Sequence, residues 1–230
     1  MLNDELIKLL KDKGADLVGV GDITEIPSDK RRGYPRAVSI AAKYPKDIIR
    51  GIAELPTQEY YDWYCKLNDR LDELADIGAE WLENQGFKAY AMRRDRVGTG
   101  DDGNRTPLPM KTVATRAGLG WIGKCALLVT EEYGSMVRFC AILTDAPLEC
   151  AEPIDESSCG DCFVCTEECP GDAVSGKLWK KGMEREEFYD ADTCMKTAFE
   201  RTKRGFGGDK SVCGKCIEIC PWTRKYLDSE

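Results

Sequence analysis

This sequence contains no histidine. That absence removes histidine general bases, His-ligated zinc or haem, and Ser-His-Asp triads in one step. Long apolar runs are missing too, and none approaches the roughly 18 residues needed to span a bilayer. The opening Met-Leu-Asn-Asp-Glu lacks the basic and apolar regions of a signal peptide. Basic side chains are in deficit, 33 against 41 acidic, for a net charge of −8. Such a balance argues against a nucleic-acid-binding surface. The expectation is a cytoplasmic protein without membrane association. At 230 residues the chain can bury one substantial core plus a small appendage.

Cysteine, by contrast, is abundant and unevenly spread. Cys65, Cys125, Cys140 and Cys150 fall in the first 150 residues, and the other eight of the 12 in the last 80. This split places a domain boundary near residue 150, giving domains 1–150 and 151–230. The first part mixes helix and strand signals. Asn3 is a plausible N-cap for a helix stopping at Gly14. Strands are expected over residues 16–21, 36–42 and 87–92. Thr57 should cap a long helix whose stripe runs Tyr60, Tyr64, Leu67, Leu71, Leu74, Ile77, Trp81, despite Gly78 inside it. A short helix is expected over 111–117. Residues 125–130 and 136–144 read as a hairpin turned at Tyr133-Gly-Ser135. The sum is an α+β fold, a mixed sheet with flanking helices. The Tyr60, Tyr61, Trp63, Tyr64 cluster reads as a packed helix face rather than a stacking platform. Residues 97–109 read as a turn-rich lid or connection. Arg93, Arg94 and Arg96 read as a solvated cationic face or an anion site.

The second part carries the chemistry. Cys159-x2-Cys162-x2-Cys165-x3-Cys169-Pro170 matches the bacterial ferredoxin run, in which three thiolates hold one cluster and the fourth reaches another. Cys213-x2-Cys216-x3-Cys220-Pro221 repeats its end, but Lys210 stands where the first cysteine belongs. Cys194 supplies the missing thiolate. Two [4Fe-4S] clusters need eight ligands, and the region has eight. The crossed pattern gives Cys159, Cys162, Cys165 and Cys220 to one cluster. Cys169, Cys194, Cys213 and Cys216 go to the other. Structural zinc is the weaker reading, since it does not call for the third close cysteine or the Cys-Pro endings. The remaining four cysteines read as small core or surface residues. The last 80 residues hold 17 acidic and 12 basic side chains, a net of −5. That charge opposes reduction, so low potentials and a ferredoxin or flavodoxin donor are expected.

Gly118-Leu-Gly-Trp-Ile-Gly-Lys124 satisfies both G-x-G-x-x-G and the start of a P-loop. A helix precedes it and a strand follows, the reverse of a dinucleotide fingerprint. Cys125 stands where a P-loop needs Ser or Thr. The glycines therefore signal close backbone approach to a neighbouring element or a large ligand.

This segment, with Tyr133-Gly-Ser135, Leu143-Thr-Asp-Ala-Pro-Leu148 and the two cysteine motifs, resembles the epoxyqueuosine reductase family, which is related to reductive dehalogenases. The resemblance implies a nitroreductase-like α+β domain binding cobalamin beside a two-cluster ferredoxin-like domain, with the clusters feeding electrons to the cobalt. It implies a corrin close to Lys111, Arg116, Gly118, Leu119, Gly120, Trp121, Ile122, Gly123 and Lys124. Without histidine, that cobalamin would have no histidine lower ligand, which eases reduction of the metal. The family's catalytic aspartate, in an Asp-x-Gly-Pro segment, falls near Asn104 here. Asp101, Asp102 and Tyr133 become the candidate proton donors. The family's C-terminal helical-repeat tail is not expected, nor is tRNA as a substrate. Three functions follow in order: a cobalamin-dependent reductase of a small molecule; an electron-transfer protein that reactivates a partner such as a corrinoid protein; and a binding module with structural clusters.

Overall fold

A computed structural model describes residues 1–97 and 106–229 of the chain. In order the elements are α1 (Leu2–Asp12), β1 (Leu17–Asp22), β2 (Arg36–Lys43), α2 (Lys46–Arg50), α3 (Gln58–Asn84), β3 (Ala89–Met92), α4 (Met110–Arg116), β4 (Trp121–Ile122), β5 (Leu128–Val129), β6 (Val137–Thr144), α5 (Val164–Glu167), α6 (Ala191–Phe206), α7 (Lys215–Glu218) and α8 (Pro221–Leu227). They fall into two compact units. The first comprises Met1–Ala42, Leu67–Gly120 and Arg138–Ile154; the second comprises Lys43–Lys66, Trp121–Val137 and Asp155–Glu230. The chain thus passes into the second unit for the last time at residue 155. Residues 43–66 and 121–137 belong with the cysteine-rich segment.

The first unit is built on a four-stranded sheet of order β1-β2-β6-β3. Its registers are antiparallel, with Leu17 opposite Ala41 and Tyr90 opposite Leu143. The α+β expectation holds. The sheet's edges and helices enclose a core that includes Ile23, Ala37, Val113, Ala141 and Leu143. Helix α1 buries Leu6 and Leu10, four residues apart on one face. Asn3 does not cap it, because the helix already begins at Leu2. The Asn3 side chain instead exchanges two hydrogen bonds with the backbone of Glu149, at 2.8 and 2.9 Å. That polar clamp leaves no local sequence signal.

Helix α3 begins where expected, with Thr57 Oγ1 accepting from the Tyr60 N–H at 3.1 Å. Leu67, Leu71 and Leu74 on its stripe are buried. Gly78 has a packing reason: a Cβ there would meet Ile142 Cδ1 at 2.4 Å and Leu10 Cδ2 at 3.3 Å. The helix gives up about 1 kcal/mol of propensity to let strand and helix approach. Carboxylates on α3 also receive the arginine triplet. Arg93 pairs with Asp76 and Asp95, Arg94 with Asp72 and Asp69, and Arg96 with Asp76. The triplet is therefore charge-compensated by neighbouring acids.

The hairpin expected from 125–130 and 136–144 is a different one. Strand β5 pairs antiparallel with β4, Trp121 opposite Val129 and Ile122 opposite Leu128. Strand β6 instead lies inside the four-stranded sheet. Apolar run length could not separate these outcomes, since both partners of β5 are equally hydrophobic. In the second unit, Tyr60 packs against Tyr44 with centroids 5.4 Å apart, and Tyr61 stacks on Phe206 at 6.0 Å. Tyr60, Tyr61 and Tyr64 of the aromatic cluster thus pack against other aromatic rings, and Trp63 has Lys66 Nζ over its ring. Among the described residues, no helix is long and apolar enough to cross a membrane.

Candidate iron–sulfur site

The site lies in the second unit and starts from the β4–β5 turn. The Gly123 N–H donates to Leu127 O, and the Ala126 N–H to Gly123 O, both at 2.8 Å. Ala126 takes φ +60° to close the turn. A Cβ on Gly123 would meet Val129 Cγ2 at 2.9 Å and Cys159 Sγ at 3.6 Å. The glycine motif's close approach is therefore, at this position, to Val129 on β5, with the cysteine loop in ordinary contact beyond it. The turn delivers Lys124 and Cys125, both buried, into a cavity of about 50 Å³. Cys159, Cys162, Cys165, Cys216 and Cys220 line the same cavity, with Val129, Pro221 and Trp222 closing it.

Cysteines of both motifs converge here. Cys220 ends the second motif at the N-cap of α8, whose N1 position is Pro221. Proline there costs no hydrogen bond and sets the chain's direction. The Cys220 thiol is pushed up by burial, and Cys159 and Cys165 are close enough to push it further. Cys194 sits in the first turn of α6, which is capped by Asp190 accepting from the Thr193 N–H at 3.0 Å. Its thiol is raised by burial, with Cys213 and Cys169 adding to the effect. Cys220 thus stands beside the first motif and Cys194 near Cys213 and Cys169, while Cys216 lines the same cavity as the first motif. Among the described residues, no three acidic or cysteine side chains converge to hold one ion. A cubane binds its four thiolates through four different irons, so it calls for cysteines lining a space rather than meeting at a point. The residues present fit two such clusters.

The surroundings add hydrogen bonds to sulfur. The Ala173 N–H donates to Cys169 Sγ at 3.3 Å. Burial holds the Tyr189 hydroxyl in its protonated form, and its hydrogen bond to Cys194 reinforces this. Cys125 lies within hydrogen-bonding reach of both Cys165 and Cys216. The first contact lowers its pKa, but Cys216 and burial carry it well above the usual thiol value. Read from sequence as a plain core or surface residue, Cys125 is a sixth thiol lining the cavity, beside five of the expected ligands. Its only sequence signal was its place directly after the glycine motif. Cys140, by contrast, is buried in the first unit, bonded to Leu71 O at 3.2 Å, and held protonated by burial and by Asp72 and Asp76.

The residues expected near a corrin are divided. Lys111, Arg116, Gly118, Leu119 and Gly120 lie in the first unit, and Trp121 to Lys124 in the second. Arg116 is 3% exposed, paired with Glu25 at 3.1 Å and donating to Ile154 O at 2.8 Å. Gly118 faces Ala151 and Glu152, and Leu119 lies against β1 at Gly19. Ile122 packs with Ala126, Trp179 and Phe188. Trp121 meets Trp222 edge-on at 4.9 Å, and its buried indole N–H has no hydrogen-bond partner among the described residues. Tyr133 meets Tyr226 edge-on at 4.9 Å, with Lys43 Nζ over its ring at the same distance. Next to it, the Ser135 N–H donates to Thr223 Oγ1 at 3.0 Å. The Tyr-Gly-Ser segment thus ties the chain to the residue three beyond Cys220. Asp101, Asp102 and Asn104 lie outside the described residues.

Comparison with known proteins bears on both units. Residues 158–223 match the 4Fe-4S double cluster binding domain. An epoxyqueuosine reductase of Vibrio cholerae is 32% identical over 212 residues, covering 86% of this chain and 52% of the relative. That of Pseudomonas aeruginosa is 28% identical over 215 residues, covering 86% and 54%. The chain spans about half the length of such relatives, and less of some. Among solved structures, an epoxyqueuosine reductase with an epoxyqueuosine-modified tRNA stem loop matches 97% of this chain and 65% of its own at TM-score 0.65 and 23% identity. A reductive dehalogenase, described for B12-dependent dehalogenation, matches 95% of this chain and 31% of its own at TM-score 0.73 and 20% identity. These structures establish the fold. Together with the cavity that gathers both cysteine motifs, the family match makes residues 158–223 a 4Fe-4S double cluster binding domain, in a chain similar in sequence to epoxyqueuosine reductases and in fold to epoxyqueuosine reductases and reductive dehalogenases.

Proposed function

We propose that the chain is an iron–sulfur oxidoreductase passing low-potential electrons through two [4Fe-4S] clusters to a cobalamin bound by its first domain, for reduction of a small substrate. The observation carrying this reading is the cavity that collects Cys159, Cys162 and Cys165 from the first motif and Cys216 and Cys220 from the second, far apart in the chain. Bound cobalamin would supply a strongly reducing metal centre. Trp121 offers it a buried N–H donor with no other partner among the described residues, and no histidine is present to ligate its lower face. A ferredoxin or flavodoxin of the cytoplasm is the matching donor, and Tyr133, Asp101 and Asp102 are the candidate proton sources.

A second reading is favoured by a specific observation. Arg116, Gly123 and Lys124 are all engaged by the chain's own residues. If their roles end there, the clusters deliver electrons to a cofactor on a partner, such as a corrinoid protein. Anaerobic purification with and without added cobalamin separates the two. A 1:1 complex with a changed cob(II)alamin EPR spectrum supports the first reading. Absence of binding, together with reduction of a partner's cofactor, supports the second. Zinc in place of about eight irons per chain would refute both.

A further inference from the structure

Lys124 is 2% exposed, which is unusual for an ammonium. It lines the cavity with Cys125, with the four cysteines of the first set, Cys159, Cys162, Cys165 and Cys220, and with Cys216 of the second. Its Nζ donates to the carbonyl of Cys162 at 2.9 Å and lies 3.8 Å from the centre of the Phe163 ring. No carboxylate pairs with it among the described residues. An enclosed ammonium with only a carbonyl and a ring face for company is poorly compensated, because burying a charge is costly unless it is paired. Both of these direct partners belong to the loop that would carry an iron–sulfur cluster. Of the second set, Cys216 alone shares this cavity among the described residues. Lys215, directly before Cys216, is already balanced by Glu218 at 3.5 Å and donates to Ala53 O.

We propose that Lys124 is the fixed counter-ion of the first cluster, the one held by Cys159, Cys162, Cys165 and Cys220, and raises its potential above that of the second. This rests on the reading of the eight cysteines as two cubanes. A [4Fe-4S] core with four thiolates carries two negative charges when oxidised and three when reduced. The one-electron step breaks no bond, and a fixed cation beside the core favours the more negative state. Electrons from a low-potential carrier would then pass from the second cluster and rest on the first. The acidic composition sets a low baseline for both, and Lys124 makes the pair unequal.

The test uses the full chain, reconstituted anaerobically, with Lys124→Met, Lys124→Gln and Lys124→Arg. Iron content is measured first, then both cluster potentials by EPR-monitored titration with mediators. The expected result is about eight irons and one cluster shifted in the neutral variants. At fixed solution potential its reduced-to-oxidised ratio should fall about tenfold, equivalent to about 59 mV for one electron. The other cluster should not move, and Lys124→Arg should restore the wild-type value. Repeating the titration on Cys194→Ala, which should keep only the first cluster, must show the same shift. Unchanged potentials at full iron content, or equal shifts of both clusters, would overturn the proposal. Should the neutral variants lose the first cluster, retention in Lys124→Arg supports the charge requirement and loss in all three refutes it. A wild-type chain with zinc, or without two cubanes, would instead refute the cluster reading itself.

Discussion

Gly134 offers the sharpest quantitative test of how the second unit holds its cysteine loops. It takes φ +57°, and a Cβ there would lie 2.2 Å from the Thr223 backbone nitrogen and 2.5 Å from Thr223 Oγ1. Two costs add in Gly134→Ala. The left-handed conformation costs a non-glycine residue roughly 1–2 kcal/mol. The clash adds about 1–3 kcal/mol, typical of overpacking, because the obstructing atom is backbone and cannot rotate away. The expected total is about 2–5 kcal/mol. At about 2–4 °C per kcal/mol for a chain this size, the melting temperature should fall by roughly 4–20 °C. Gly182→Ala is the internal control. Gly182 has φ +83°, but a Cβ there would meet nothing within 4 Å, so it should show the conformational cost alone. Both variants are melted anaerobically with clusters in place, and iron is counted beforehand. Thr223 follows Cys220 by three residues, so Gly134→Ala should also lose iron faster on exposure to chelator. Equal melting temperatures for the two variants would refute the claim that this close approach fixes the second motif.

Three further outcomes are expected. Cys194→Ala should leave about four irons per chain, and a full complement of eight would show the crossed assignment to be wrong. Cys125→Ala should keep about eight, because eight other thiolates suffice; a fall to about four would make Cys125 a ligand in place of one of them. Asp190→Asn should destabilise α6 in a pH-dependent way. The Thr193 backbone and hydroxyl hydrogen bonds hold the Asp190 carboxyl below its ordinary value of 3.8. Its stabilisation is therefore present above that value and is lost as pH falls through the lowered one, so wild type and variant should differ in melting temperature at neutral pH and converge in strong acid. A constant difference across that range would show that Asp190's charge does not support the helix.

Where sequence reading succeeded, the signal was local or arithmetical. Helix α3 was visible because its cap and its leucine stripe obey one helical period. The double-cluster domain was visible because its cysteines recur at ferredoxin-like spacings, and residues 158–223 match such a domain. Where it fell short, the deciding contact was remote in sequence. Asn3 looked like a cap, but its partner is Glu149. Strand β5 looked like a partner for β6, but the turn at Ala126 sends it back onto β4. Cys125 carried no spacing signal because its neighbours, Cys165 and Cys216, come from two separate later motifs.

The glycine motif shows the same limit in its most consequential form. The glycines correctly signalled close approach, but periodicity could not say to what. At Gly123 the close approach is to Val129, with Cys159 Sγ in ordinary contact beyond it, so the motif's end helps build the cluster cavity. The pairing of Ser135 with Thr223 fastens the other side of the same loop system. Two segments that precede every cluster cysteine in the sequence therefore belong to the compact unit that holds them. This explains why the second unit needs residues 121–137. The last 80 residues supply thiolates and acidic charge, while the turn supplies the enclosed cation and a further thiol. A cysteine-rich segment expressed from residue 151 onward would carry all eight ligands yet lack Lys124 and the Ser135 tie. It should therefore bind iron less stably than the whole chain, and equal retention of about eight irons against the same chelator would show that the turn is dispensable.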